Sequence, residues 1–396
     1  MKTKRLLIQN GPIVTPHRII PNGGVLIENG KITEILDKPI NPCDISEGAD
    51  IEIFDAKGAT ISPGFVDIHV HGGGGKEVMG ASPSEIGEIA SAHGKYGTTS
   101  ILPTTLAAPI PDILHTMESI ELAMNNAQGG ANILGTHLEG PFFAQSQRGA
   151  QAAEHIILPT KENIEQLLSN RNIKIMGAAP EIPGGMELGL SLASRGITAS
   201  IAHSDATFED VERAMEYGYT DITHIYSGCS NVHRVNAYRV AGVVEAGLYF
   251  DSLTTQVIAD GKHLPPSLLR LIYKCKGPDK IALITDGLGP SAWEMPEGTI
   301  YTQKNGVEII LHDGVMKLMD KQAFAGSCAT MLKCMQNMVN LAGVPLVDAV
   351  KMASTTPAKL VGATKKGQIA PAYDADIILL DSQLNIHKVM TMGKWT

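Results

Sequence analysis

The 396-residue sequence has little positive charge and no long apolar run. Its 32 Lys and Arg residues are outnumbered by 41 Asp and Glu residues, which gives a net charge of -9 at pH 7. Without a block rich in Lys or Arg, it lacks the charge pattern typical of binding to nucleic acids or anionic membranes. It also lacks the run of about 18 apolar residues that spans a bilayer. We therefore expect no nucleic-acid partner and no membrane partner.

Cysteine is also scarce, and its positions are widely separated. The chain has five cysteines and no C-x-x-C pair, at Cys43, Cys229, Cys275, Cys328 and Cys334. A chain of this length does not need disulfide bonds to stabilise a small core, so this pattern predicts reduced thiols. Behind the basic N-terminus, the apolar segment 6–8 is too short for a signal peptide. We expect a cytoplasmic protein.

The remaining composition favours a folded protein with more than one structural unit. Hydrophobic residues make up 43% and charged residues 18% of the chain, which argues against disorder. Short β-rich segments at both chain ends flank a long middle segment of mixed character. We predict a small β-sandwich domain formed by residues 1–60 together with residues 363–396, and a catalytic domain over residues 61–362.

In the middle segment, strand-like apolar runs alternate with segments of helical periodicity. This pattern predicts repeated βα units around a parallel sheet. The eight expected strands cover 65–70, 99–103, 133–138, 173–178, 198–202, 221–225, 256–259 and 281–285. Helices are expected between them, for example at 83–96, 111–125, 161–168 and 208–217. Eight units over roughly 300 residues match a (β/α)8 TIM barrel of the α/β class.

Ionisable side chains follow the predicted strands where a TIM barrel places its active site, at the C-terminal strand ends. The six are His69, His71, Glu139, His203, His224 and Asp286. His69 and His71 point to the same side because side chains alternate along a strand. Burying six such groups at one rim without a cation would cost several kcal/mol each. The pattern therefore predicts a metal site.

The expected ligands are imidazoles and carboxylates without a thiolate, which suits Zn²⁺, Fe²⁺, Mn²⁺ or Co²⁺. Six ligands exceed the needs of one tetrahedral ion, so one or two ions are expected, with Zn²⁺ first among them. In a two-ion site Glu139 would bridge an ion at His69 and His71 to another at His203 and His224. Such a centre supplies a hydroxide nucleophile near pH 7. Asp286 is the expected catalytic proton carrier, and it is also a candidate metal ligand.

Several short motifs resemble those of one enzyme family. They are DIHVHG (67–72), HLEGPF (137–142), AHSDAT (202–207), IADGKH (258–263) and AGS (325–327). The first is similar to the amidohydrolase superfamily, and the full set resembles the N-acetylglucosamine-6-phosphate deacetylases within it. This resemblance runs over essentially the whole chain. It implies a metal-dependent amidohydrolase that converts N-acetylglucosamine 6-phosphate to glucosamine 6-phosphate and acetate.

The resemblance also implies roles for individual residues. Glu139, His203 and His224 match the principal metal ligands of the family, while His69 and His71 match a pair that completes a second ion. Asp286 matches the catalytic acid and base, and His263 matches a substrate-contacting histidine. The family further implies a homodimer. We expect the carboxylates of Asp67 and Asp205 to orient imidazoles rather than to bind metal.

The sequence departs from the family where the sugar phosphate is recognised. The family usually places Asn-Ala-Met after an aromatic residue behind the sixth-strand histidine, whereas this chain has Ser227, Gly228 and Cys229 after Tyr226. The family's histidine after Gly-Ala is Gln151 here, behind Ala150. The substrate residues expected from the resemblance are His263, Ala150, Ser227, Gly228, Arg234 and Ser327.

These departures concern residues that would recognise the substrate, so the sequence supports the type of reaction more strongly than the identity of the substrate. A related substrate is an alternative, such as N-acetylgalactosamine 6-phosphate or an unphosphorylated acetamido sugar. A second alternative is a cyclic-amide hydrolase of the dihydroorotase or hydantoinase kind, which resembles this chain at its first-strand histidine pair. That group bridges its metals with a modified lysine at the end of strand 4, where this chain has the segment AAPE (178–181). A third alternative is a non-catalytic scaffold protein.

Overall fold

The computed structural model of the protein describes residues 5–41, 51–126, 129–169, 172–304, 306–322 and 324–396. Residues 1–4 and Cys43, which carry part of the expectations about targeting and thiols, lie outside the described residues. Within those residues, no helix is long and apolar enough to cross a bilayer.

The N-terminal segment forms five strands. They are β1 (Arg5–Val14), β2 (Ile19–Glu28), β3 (Lys31–Leu36), β4 (Ile51–Asp55) and β5 (Thr60–Pro63). The β2–β3 hairpin turns at Asn29 and Gly30, whose φ angles are 52° and 74°. Positive φ at both central residues matches the twist of the two flanking strands, which is why Asn-Gly suits this turn.

The middle segment supplies the barrel. Its strands are β6 (Phe65–Val70), β7 (Gly72–Gly73), β8 (Lys76–Glu77), β9 (Thr98–Pro103), β10 (Asn132–Ile133), β11 (Thr136–Glu139), β12 (Ile173–Ala178), β13 (Thr198–Ile201), β14 (Tyr219–Ile222), β15 (His233–Val235), β16 (Tyr238–Val240), β17 (Thr254–Ile258) and β18 (Ile281–Ile284). The eight barrel strands are β6, β9, β11, β12, β13, β14, β17 and β18, which lie near the eight predicted segments.

The barrel strands run parallel and close on each other. Strand β6 pairs with β9. A second set of strands pairs in the order β11, β12, β13, β14, β17 and β18, each with the next. Two bridges at the strand ends, Thr104 with His137 and Val70 with Gly287, join these two sets of strands. The result is a TIM-barrel-like α/β domain, as predicted.

A four-stranded antiparallel sheet follows the last barrel strand. It consists of β19 (Ile300–Thr302), β20 (Glu308–His312), β21 (Val315–Leu318) and β22 (Phe324–Gly326). The sequence predictions did not include it. It lies close to the loop behind the first barrel strand, where the Lys304 amide donates to Glu77. This sheet therefore borders the mouth of the barrel.

Ten helices complete the described structure. They are α1 (Pro83–Gly94), α2 (Ile110–Asn126), α3 (Lys161–Leu167), α4 (Gly185–Ser194), α5 (Phe208–Glu216), α6 (Val243–Tyr249), α7 (Pro266–Lys276), α8 (Met331–Asn340), α9 (Leu346–Ala353) and α10 (Thr355–Leu360). Capping boxes fix the starts of α1, at Ser82 and Glu85, and of α5, at Thr207 and Asp210. Apolar faces of the helices pack on the barrel strands in one large buried cluster.

The C-terminal strands return to the N-terminal ones. Strand β23 (Ile377–Leu380) pairs with β5, and β24 (Ile386–Thr391) and β25 (Lys394–Trp395) extend the same sheet. Both chain ends thus share one eight-stranded sheet with its own apolar cluster. That this sheet folds over itself as a β-sandwich stays a prediction.

A buried ion cluster lies in this terminal sheet region. Lys366 Nζ is 3.0 Å from Asp374 Oδ2 and 2.8 Å from Asp376 Oδ2, and the side chains of all three residues are at most 6% exposed. Lys31 also pairs with Asp374. Two ammonium groups therefore face two carboxylates, so the cluster is internally balanced in charge.

Candidate active site

The structure brings all six predicted ligand residues together at the C-terminal end of the barrel. His69 lies within β6, Glu139 ends β11, and the others follow their strands by one or two residues. Five of them are buried, while the Asp286 side chain is 19% exposed. Asp286 is consequently the ligand candidate most accessible from the barrel mouth.

Glu139 occupies the centre of this cluster. Its Oε1 lies 2.9 Å from His224 Nε2 and 3.2 Å from His203 Nε2. Its Oε2 lies 3.3 Å from His71 Nε2. His69 Nε2 also lies 3.5 Å from Oε1, so Oε1 faces three imidazoles and Oε2 faces the fourth.

Asp286 faces the first-strand pair from the other side. Its Oδ1 is 3.2 Å from His71 Nε2 and 3.4 Å from His69 Nε2. The two Nε2 atoms of His69 and His71 are themselves only 3.1 Å apart. Two nitrogens approach so closely only with a proton or another cation to share.

All four imidazoles are held by their opposite nitrogen, Nδ1. His69 Nδ1 donates to Gln256 Oε1 at 3.2 Å, and His71 Nδ1 donates to the Thr104 carbonyl at 3.2 Å. The other two donate to backbone carbonyls, His203 to Gln147 at 2.8 Å and His224 to Ser227 at 3.0 Å. When neutral, each ring therefore carries its proton on Nδ1 and presents the Nε2 lone pair to the cluster, as metal-binding histidines do.

This donor set fits a divalent metal. Ligand atoms of His69, Glu139 and His224 lie within 4.8 Å of one another, as do those of His69, His71 and Asp286. Nitrogen and oxygen donors without a thiolate suit Zn²⁺ and the neighbouring divalent ions. Two overlapping groups of ligands are what one or two ions would require.

The cluster also concentrates charge. Burial raises the pKa of Asp286, but the facing imidazoles of His69 and His71 outweigh burial and lower that pKa to about 2. Burial likewise opposes ionisation of Glu139, yet the surrounding histidines hold its pKa well below the usual value. Burial lowers the pKa of His71, whereas Asp286 and Glu139 raise it more, to about 10. The two ionised carboxylates therefore create a negative potential between the rings, which favours a positive charge there.

Strained backbone marks the same strand ends. His203, His224 and Asp286 have φ angles of 47°, 25° and 49°, in a region that residues other than glycine rarely adopt. Such conformations persist only where surrounding packing enforces them, and they concentrate at functional sites. Here all three belong to candidate metal ligands that follow barrel strands.

Gly228 has a steric role beside these ligands. Its φ is 55°, and a Cβ atom at this position would lie 2.8 Å from His203 Nδ1. Glycine is therefore required for His203 to approach the loop closely enough to donate to the Gln147 carbonyl.

The other predicted substrate residues lie around the cluster at different depths. His263 is half-buried, donates from Nδ1 to Asp260 Oδ2 at 2.7 Å and packs against Phe324. Ala150 is exposed, and Arg234 lies on the exposed β15–β16 hairpin. Ser327 is fully buried, with its hydroxyl accepting from the Ala329 amide. The substrate contacts of these residues stay predictions.

The expected role of two aspartates is wrong. Asp67 accepts from the His69 amide and from Thr285, and Asp205 accepts from Ser146 and Gln147, so neither carboxylate orients an imidazole. Gln256 and backbone carbonyls perform that task instead. Sequence reasoning missed them because a carbonyl group belongs to every residue and leaves no signal in the sequence.

Comparison with known proteins identifies the class to which this site belongs. The model of the amidohydrolase family matches residues 60–396, and the chain belongs to that family. The family is metal-dependent, in agreement with the clustered ligand candidates.

Individual relatives and solved structures show which enzymes of this family the chain is similar to. The chain is 31% identical to N-acetylglucosamine-6-phosphate deacetylase from Lysinibacillus sphaericus over 98% of this chain and 97% of that protein. It is 30% identical to N-acetylgalactosamine-6-phosphate deacetylase from Escherichia coli O157:H7 over 87% and 89% of the two chains. A Mycobacterium smegmatis N-acetyl-D-glucosamine-6-phosphate deacetylase variant, solved with N-acetyl-D-glucosamine-6-phosphate, superposes with a TM-score of 0.88 at 26% identity, covering 99% of both chains.

Proposed function

We propose that this protein is a metal-dependent deacetylase that hydrolyses N-acetylglucosamine 6-phosphate to glucosamine 6-phosphate and acetate. The observation that carries the proposal is the convergence of four imidazole Nε2 atoms on the carboxylates of Glu139 and Asp286. Relatives with this activity cover nearly the whole chain, which supports the same conclusion.

The proposed cofactor is Zn²⁺, in one or two copies. His203, His224 and Glu139 would hold the principal ion, and His69 and His71 would contribute to a second one with Glu139 and Asp286 as neighbours. The chemistry that such an ion supplies when bound is that of a Lewis acid, which polarises the amide carbonyl and lowers the pKa of water.

Asp286 is the proposed catalytic acid and base. Its carboxylate is ionised at neutral pH, because its pKa is about 2, and it is the most exposed of the six side chains. It can therefore accept the proton that water loses as the oxygen bonds to the amide carbon. It then donates this proton to the nitrogen as the carbon–nitrogen bond breaks, which gives acetate and the free amine.

Recognition of the sugar is assigned to the rim around these residues. We propose that His263 contacts the substrate and that the loop at Ala150, Ser227 and Gly228 lines the sugar. Ser327 is the remaining candidate, as a support behind that rim. Arg234 would reach the phosphate in a homodimer, since its exposed hairpin projects from the chain.

A second substrate has specific support. One relative, 30% identical, acts on N-acetylgalactosamine 6-phosphate, and the segment 226–229 departs from the motif of the glucosamine enzymes. An unphosphorylated sugar is a further alternative. Against a cyclic-amide hydrolase, Gly177 of β12 lies beside Glu139, and the strand ends without the lysine that would bridge two metals.

The remaining structural proposals concern the whole chain. We propose domain limits at residues 1–60, 61–362 and 363–396, with the terminal sheet folded as a β-sandwich. The four described cysteines are free thiols, which supports the proposal of a cytoplasmic protein.

The decisive experiment measures acetate release by protein loaded with Zn²⁺. The substrates are N-acetylglucosamine 6-phosphate, its galactosamine isomer and unphosphorylated N-acetylglucosamine, with dihydroorotate and a hydantoin as cyclic amides. We expect the highest kcat/KM with the first. Preference for the second would change the assigned sugar, and turnover of the cyclic amides alone would refute the deacetylase. No turnover of any of these substrates by metal-loaded protein would refute the proposed deacetylase and would mean that the site serves a different amide.

A further inference from the structure

Gln151 makes a contact with the candidate metal centre that the substrate assignment does not use. Its side chain is buried, with 7% of the residue exposed, in the loop that follows β11. Its Nε2 donates to Glu139 Oε2 at 2.8 Å, and its Oε1 accepts from the Ala107 amide at 3.0 Å. One glutamine thus links the loop after β9 to the carboxylate at the centre of the site.

Only one orientation of this amide group satisfies both partners. The Ala107 N–H is a donor and must meet the oxygen, so the amide nitrogen must face Glu139. The backbone of Gln151 is held as well, because its N–H donates to the Arg148 carbonyl and its carbonyl accepts from Arg148 Nη1, both at 3.0 Å. The donor is consequently fixed in place before any ligand binds.

The contact constrains how the carboxylate can turn. Glu139 Oε1 faces the imidazoles of His69, His203 and His224, whereas Oε2 faces His71 and the Gln151 amide. Rotation about the terminal torsion of a glutamate is soft, so an unsupported carboxylate would sample other orientations. A hydrogen bond to an ionised acceptor is stronger than one between neutral groups, and this one keeps Oε2 directed to His71 and Oε1 to the other three imidazoles.

We propose that Gln151 is a positioning residue that holds the Glu139 carboxylate in the orientation for metal binding. This proposal rests on the metal site of the proposed function and adds a role for a residue that was first noted as a departure from its family. Gln151 acts through Glu139 and requires no contact with the substrate.

The test is the affinity for Zn²⁺ of a Gln151→Met variant, measured by competition with a chromogenic chelator. Methionine keeps the length and unbranched shape of glutamine but cannot donate. Loss of a group that supports a metal ligand typically weakens metal binding 10- to 100-fold, and we expect a change of about this size. The visible spectrum of the Co²⁺-loaded variant should change as well, because the ligand field at the ion depends on the orientation of the Glu139 carboxylate.

Gln145 provides the matched control. It lies in the same loop, is exposed and donates from its amide to the Ala153 carbonyl. Gln145→Met should bind Zn²⁺ within about twofold of the unmodified protein. Gln151→His retains a donor and an acceptor nitrogen and should restore most of the affinity.

Unchanged Zn²⁺ affinity in Gln151→Met would overturn the proposal, and so would an equal loss in Gln145→Met. If Gln151→Met fails to fold, the Zn²⁺ affinities of Gln151→Leu, which cannot donate, and Gln151→His, which can, are compared instead. Equal affinities would overturn the proposal. These readouts are independent of catalysis. A protein whose Zn²⁺ affinity depends on Gln151 but that releases no acetate would refute the proposed function and leave this role standing.

Discussion

The barrel mouth and the terminal sheet both bury charged groups, but they balance them differently. In the terminal sheet, Lys31 and Lys366 face Asp374 and Asp376, so every charge has a partner supplied by the chain. At the barrel mouth, two carboxylates face imidazoles whose Nδ1 protons point away from them. The first cluster balances its charges with lysines, whereas the second presents carboxylate oxygens and imidazole Nε2 atoms, which are the donors that suit a divalent ion.

This difference separates buried charges that serve the stability of the fold from buried charges that serve the binding of an ion. A buried ion pair stabilises the fold little more than apolar residues of the same volume would. Removing one partner nevertheless lowers stability strongly, because the other charge is left unpaired. A cluster that draws its positive charge from outside depends instead on the ion that it binds. Substitutions in the two regions should therefore change different properties.

The largest effect is expected at Asp286. Asp286→Asn should lower kcat by roughly 10²- to 10⁴-fold, the usual contribution of a general acid and base. Bound metal should remain, since Glu139 and the histidines are unchanged. Steady-state kinetics together with elemental analysis measure both properties. Activity near the unmodified level would show that another group carries the proton.

Glu139→Gln should remove the metal rather than the proton carrier. The neutral amide keeps the shape of the side chain but loses the charge that faces four imidazoles, so Zn²⁺ should dissociate during dialysis. Elemental analysis against the Glu181→Gln control tests this. Glu181 also follows a barrel strand, but its carboxylate accepts from Ser204 and the Asp205 amide. Equal metal loss in both variants would contradict a specific role for Glu139.

Lys366→Met should destabilise the fold without changing metal content. It leaves the buried Asp376 carboxylate without its ammonium partner, while Asp374 keeps Lys31, and a cost of about 3–5 kcal/mol in the free energy of unfolding is typical of such a loss. Denaturant titration measures this cost. Lys161→Met removes an exposed pair with Glu165 and should change stability by less than about 1 kcal/mol. A small effect at Lys366 would mean that water reaches the cluster.

The smallest effect concerns Asp221, a barrel carboxylate without a cation. Burial raises its pKa to about 6, although Ser200 and Gln256 donate to it. The folded state then holds a proton that the unfolded state has released between about pH 4 and 6, so stability falls as pH rises through this window. Asp221→Asn should remove the fall and gain at most about 3 kcal/mol above pH 6. Urea titrations from pH 4 to 8 measure it, and an offset independent of pH would refute the assignment.

Much of the barrel was predictable from the sequence because strand periodicity and ligand placement reinforce each other. The third strand shows where local reasoning stops. One strand was expected over 133–138, but the structure has β10 and β11, separated at Gly135, whose φ is 150°. Apolar character continues through this bend, so the hydrophobic pattern contains no sign of it.

The sequence predicted which candidate ligands would cluster, but it did not predict the groups that orient them. His69 and His71 stand out because one strand carries both, whereas Gln256 and Gln151 look like ordinary polar residues until the fold places them. The sheet β19–β22 was missed because a helix is expected after the last barrel strand. The Asp313–Gly314 turn, with φ angles of 56° and 69°, was a usable hairpin signal.

The pairing of β5 with β23 affects how the chain is made. Ribosomes add about 5–20 residues each second, so roughly 15 to 60 s separate the synthesis of these two strands. During that interval the edge of β5 that later pairs with β23 is unpaired, and an unpaired strand edge can bind chaperones or pair with the wrong strand. A message that ends early would yield a chain with this edge permanently open, and cellular proteases can recognise such products.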